Sequence, residues 1–178
     1  SLYYRLYDTF RGSGVVGRVL KFLLLRKCFH RATRLMTYGS FSEALNVFNF
    51  ILKIHPGNSD ALSGIAISYY EQGKYEEAKK IFLQLIEQEH FEPILLVYLG
   101  LCYYRLKNYN SALALFERVS NHRPEDYNAN YYTGLCYLAL GDKLNAVRSF
   151  EKAFKRYFVD TSEQCLDKLL RRIQLSSD

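Results

Sequence analysis

The chain has 178 residues, 49% hydrophobic and 24% charged, which is ordinary globular usage and excludes disorder as its default state. Three prolines and ten glycines exclude collagen-like and low-complexity chains, while sixteen Tyr and twelve Phe without a Trp point to a well-filled aromatic core, an aromatic binding surface, or both. The net charge of +6 sits at one end: residues 1–42 hold eight Lys or Arg against one acid (+7) and residues 43–178 hold sixteen against seventeen (−1), so an acidic partner is expected at the front and no nucleic acid is expected.

Residues 1–24 form a basic amphipathic segment. Arg11, Gly12, Ser13 and Gly14 break it into two helical pieces; the run is too short for a phosphate loop and lacks the Lys-Ser/Thr that such a loop needs. Within Tyr3–Arg34, Val16, Val19, Leu20, Leu23 and Leu24 lie beside Arg18, Lys21, Arg26 and Lys27, so a helix here is apolar on one side and basic on the other. Four roles stay open for it: a cap on the helices that follow, a plug (residues 15–25) in the chain's own groove, a contact for a partner, or an anionic membrane surface reached through residues 1–34. Arg18 and Lys21 interrupt the most apolar run, which falls short of the roughly 18–20 residues a membrane span needs, and no small-residue cleavage site follows it. The chain opens on Ser1, as a fragment of a longer protein would.

Beyond residue 24 the chain repeats itself. Ala44, Ala78, Ala112 and Ala146 recur every 34 residues, and Phe48, Phe82, Phe116 and Phe150 follow each by four. Leu35, Tyr69, Tyr103 and Tyr137 keep the same step, as do Ala32, Ala66, Gly100 and Gly134. The spacing predicts helix pairs over 25–38 and 42–54, 59–72 and 76–89, 93–106 and 110–121, and 127–140 and 144–157. Gly39, Gly73 and Gly141 supply the turns. Small residues let paired helices approach, and each Phe fills the space one turn on. A lone pair cannot bury its apolar face, so the pairs must stack. Thr161–Leu175 is expected to be a ninth helix, capped by Asp160 or Thr161, with Leu166, Leu169, Leu170 and Ile173 closing the stack.

The pattern, clearest from Leu62 to Leu85, resembles the tetratricopeptide repeat (TPR) family over residues 25–158. The resemblance implies an all-α, right-handed superhelical solenoid of helix-turn-helix repeats at 25–58, 59–92, 93–126 and 127–158, followed by a C-terminal capping helix and tail at 159–178. It implies a cytoplasmic protein-interaction adaptor or scaffold, with a location peripheral to a membrane as the alternative, and first helices lining a concave groove. That groove would contain Phe29, Ile67, Tyr70, Val97, Tyr98, Leu101, Tyr104, Tyr131, Tyr132, Leu135 and Leu138. Phe29, Ser63, Val97 and Tyr131 stand where some TPR proteins clamp a C-terminal carboxylate; none is basic, so an apolar peptide or helix is the expected occupant, with Tyr hydroxyls holding its backbone. Residues 127–154 also resemble the last repeat of type III secretion translocator chaperones, through Tyr132, Gly134, Cys136, Leu138, Ala146 and Phe150. The repeat number and basic front end resemble the magnetosome-associated TPR scaffold, which implies a membrane-associated role. Self-association is a further expectation.

No catalytic constellation stands out. His30, His55, His90 and His122 fall in different repeats, and no HExxH, nucleophile elbow or phosphate loop is present, so neither an enzyme, a cofactor nor a metal site is expected. Cys102 and Cys136 share a phase, but stacked helices lie about 9–10 Å apart, too far for shared ligands. With Cys28 and Cys165 they are expected to be reduced, mostly buried thiols.

Overall fold

Each 34-residue step carries two apolar stripes at helical spacing separated by a turn, and the chain folds accordingly. The structure is a computed structural model and describes residues 14–88 and 92–155. Among these residues it contains eight helices and no strand: α1 (Gly14–Thr37), α2 (Phe41–Ile54), α3 (Ser59–Glu71), α4 (Tyr75–Gln88), α5 (Pro93–Arg105), α6 (Tyr109–His122), α7 (Tyr127–Ala139) and α8 (Lys143–Phe154). This is an all-α repeat solenoid. α1 runs unbroken through residues 24 and 25, joining the basic front segment to the first repeat. The helix expected at Thr161–Leu175 lies outside the described residues.

The turns obey one rule. Leu35, Tyr69, Tyr103 and Tyr137 each accept a backbone hydrogen bond from the residue five positions on, Ser40, Lys74, Asn108 and Asp142, all at 2.9 Å. This wrap-around bond needs a left-handed residue just before the donor. Gly39, Gly73 and Gly141 take that place with φ of 73°, 77° and 84°; in the third turn Lys107 takes it, with φ 62°. The following helices start on side-chain caps where one is available: the amide of Ala61 donates to Asn58, that of Ser111 to Asn108, that of Ala129 to Asp126 and that of Asn145 to Asp142.

The chain divides into two compact units, residues 1–81 and 82–178. In the first, α2 packs between α1 and α3. Its core is Cys28 and Ala32 of α1, Ala44, Phe48, Ile51 and Ile54 of α2, and Ala61 and Ile65 of α3. In the second, α6 packs between α5 and α7, and α7 against α8. Leu96, Ala112, Phe116, Val119, Ala129 and Cys136 lie at its centre. The close approaches depend on glycine: a Cβ on Gly100 would stand 2.7 Å from the Phe116 ring, and one on Gly134 2.7 Å from that of Phe150.

Candidate partner-binding surface

The repeating Phe decides how the tyrosines sit. In the second unit Phe82 lies flat against Tyr98 of α5, ring centroids 5.6 Å apart, and Phe116 lies flat against Tyr132 of α7 at 5.5 Å. Tyr98 and Tyr132 are 34 residues apart, so one contact is made twice. Gly64 holds this phase in α3; there the Phe48 ring closes directly on the backbone, and any Cβ would collide with it. Each tyrosine therefore has one ring face on a core phenylalanine and is half-buried.

Around this pair the second unit gathers further rings. Tyr104 meets Tyr132 edge-on at 5.7 Å and Tyr109 at 5.6 Å. Tyr131 packs against Phe150 at 5.6 Å and edge-on to Phe154 at 6.3 Å. Leu101 packs on the same core, and Leu135 and Leu138 are half-buried on α7. Val97, expected on the groove, is only 6% exposed and belongs to the core. The structure also adds Tyr127, which lies flat against Tyr131 at 5.7 Å and edge-on to Phe154 at 5.6 Å. The Tyr127/Tyr131 spacing of one helical turn was its sequence signal.

In the first unit Phe29 meets Phe48 edge-on at 5.8 Å. Ile67 is half-buried. Tyr70 is 9% exposed and its ring rests on Tyr75 at 5.4 Å.

The Tyr104 phenol of this surface holds its proton. Burial raises the Tyr104 pKa, with smaller contributions from Cys136 and Tyr109, so its hydroxyl can donate a hydrogen bond at neutral pH. The other side of α7 is chemically different. Asn130, Thr133 and Tyr137, three and four residues apart, form the floor of a polar cleft of about 790 Å³ between α6 and α8. There the Tyr137 hydroxyl donates to Glu117 Oε1 at 2.6 Å, which together with burial pushes its pKa up to about 12. Cys28, Cys102 and Cys136 are free thiols, fully buried. Among the described residues no group of three or more His, Cys, Asp or Glu side chains could hold a metal. No helix among them is long and apolar enough to cross a membrane.

Paired helices on a 34-residue step, small residues at their crossings and a recurring interlocked Phe define a helical-repeat protein of the protein-interaction class. The tetratricopeptide repeat family matches residues 35–99, 93–126 and 128–157, and the chain belongs to it. Its fold is that of MamA (residues 41 to the end) from Desulfovibrio magneticus RS-1, at 20% identity over 85% of this chain and 84% of that one, TM-score 0.72. It is similar to SycD, a type III secretion translocator chaperone of Yersinia enterocolitica, at 21% identity over 67% and 94%, TM-score 0.58. It is also similar to PcrH, known from Pseudomonas aeruginosa, in complex with the chaperone-binding region of PopB, at 23% identity over 65% and 93%, TM-score 0.55. A search of curated proteins finds no match.

Proposed function

We propose that the protein is a non-enzymatic adaptor that holds an apolar peptide or helix of a partner protein on the α5/α7 face of its second unit. The observation that supports this is the composition of that face. Tyr98, Leu101, Tyr104, Tyr131, Tyr132, Leu135 and Leu138 are all half-buried, and none carries a charge. Half-buried tyrosines offer large, stiff contact area at low entropic cost and a hydroxyl for the partner's backbone. A fully satisfied core would cover them, and an ordinary solvated face would carry Lys and Glu. PcrH, a protein of this fold, has been solved with a segment of another protein, PopB, and that precedent supports a peptide as the occupant.

The test must separate binding from folding. Tyr98 and Tyr132 are stacked on core phenylalanines, so truncating them costs stability as well as any contact. Leu135→Glu and Leu138→Glu place a charge on the face itself. A panel of labelled amphipathic and polar peptides, followed by fluorescence polarisation, should show preference for the amphipathic ones. Each Glu variant should weaken that binding by more than about tenfold, with an unchanged helical circular-dichroism spectrum. Equal affinity for polar and amphipathic peptides, or Glu variants that bind as well as the parent, would overturn the reading.

A further inference from the structure

The first half of α1 carries an apolar stripe that no helix among the described residues covers. Val15, Val19, Phe22 and Leu23 recur at helical spacing on one side of the helix and are 68%, 52%, 64% and 45% exposed. The opposite side carries the packing: Cys28 and Ala32 are completely buried against α2 and α3, and Leu24 and Leu25 rest on that core. The stripe is therefore surplus to the fold of the first unit. Four large apolar side chains in contact with water across two turns mark an interaction surface.

Charge selects the occupant. α1 contains Arg18, Lys21, Arg26, Lys27, Arg31 and Arg34 and no acid. Arg18, Arg26 and Lys27, which border the stripe, are exposed. A second copy of this chain would set like charges against each other, because the same cations border the same stripe. A negatively charged bilayer surface takes both features at once: apolar side chains enter the acyl boundary while Arg and Lys stems extend so that their heads meet lipid phosphates. We infer that the outward face of α1, built on Val15, Val19, Phe22 and Leu23, is a peripheral docking surface for anionic membranes. This inference is independent of the peptide-binding reading, which concerns α5 and α7.

The chain has no Trp, so a Phe22→Trp variant of the full 178-residue chain reports from the stripe alone. With vesicles of phosphatidylglycerol and phosphatidylcholine its emission should shift from the red of a water-exposed indole to the blue. With phosphatidylcholine alone it should not, and added salt should reverse the shift. In co-sedimentation, Val19→Glu with Leu23→Glu should reduce the vesicle-bound fraction of the parent chain at least about tenfold. Emission already blue in buffer and unchanged on dilution would assign the stripe to another segment of this chain. Blue emission that reddens on dilution would assign it to a second copy. Emission that stays red with anionic vesicles, or turns blue equally with neutral ones, would also overturn the inference.

Discussion

Lys107 carries a backbone strain that the other three turns avoid. Its φ of 62° lies where glycine stands in the other three turns, and a side chain there costs about 1 kcal/mol because Cβ crowds the carbonyl. Lys107→Gly should therefore stabilise the chain by up to about 1 kcal/mol, read as a higher urea midpoint at unchanged slope. A second residue-scale effect concerns pH. Burial, and secondarily the Glu117 carboxylate, push the Cys136 thiol from its ordinary 9.0 up to about 12. The unfolded chain ionises first, so the stability this thiol contributes is complete below pH 9 and is lost as pH rises from 9 towards about 12. Tyr137, raised from 10.0 to about 12, acts in the same direction over the upper part of that window. Thermal unfolding from about pH 8 to about pH 11 should show a falling midpoint, and Cys136→Ala should make the fall shallower.

Helix crossings carry the next level of argument. α7 and α8 meet where Gly134 faces the Phe150 ring, and α5 and α6 meet where Gly100 faces that of Phe116. In an isolated helix Gly→Ala gains roughly 1 kcal/mol. Here the added methyl would stand 2.7 Å from a buried ring on the neighbouring helix, and overpacking of that kind costs about 1–3 kcal/mol. Gly134→Ala should therefore be net destabilising by up to about 2 kcal/mol in urea denaturation. A stabilised variant would mean that the Phe150 side chain moves aside without cost. The pairing also explains why the small residue and the Phe sixteen positions later share one period: each closes on the other.

For the whole molecule, a repeat array distributes stability among neighbours instead of concentrating it in one core. Phe116 is completely buried at the centre of the second unit, so Phe116→Ala should cost about 3–5 kcal/mol. Its effect should be local. Amide hydrogen exchange should accelerate in residues 92–155 well before residues 14–81, since the first unit has a core of its own. Uniform acceleration across both would show a single cooperative unit. The charge asymmetry belongs to this scale too, because the basic excess of residues 1–42 falls largely on α1 and leaves the remaining helices nearly neutral.

Much of this was legible in the one-dimensional text. A 34-residue period in Ala, Phe and Gly implies helix pairs, their turns and their crossings, because each of those residues is required by a local steric constraint that repeats with the backbone. The first predicted helix starts at residue 25 where the observed one starts at Gly14, because its helical pattern runs on upstream of the repeat; the other predicted bounds agree with the observed ones to within a few residues. Periodicity also states which side chains share a helix face, so the tyrosine phase on α5 and α7 could be named in advance. It does not state what covers that face. Only the packed neighbours decide that Val97 goes into the core, that Tyr98 and Tyr132 rest on Phe82 and Phe116, and that Tyr127 joins the ring cluster. The same holds for α1: its apolar pattern was visible, but whether it would be buried as a cap or left open depended on where α2 and α3 end. They reach Leu24 and Leu25, and Val15, Val19, Phe22 and Leu23 stay exposed. Burial is a property of pairs of elements, and a single strip of sequence contains one member of each pair.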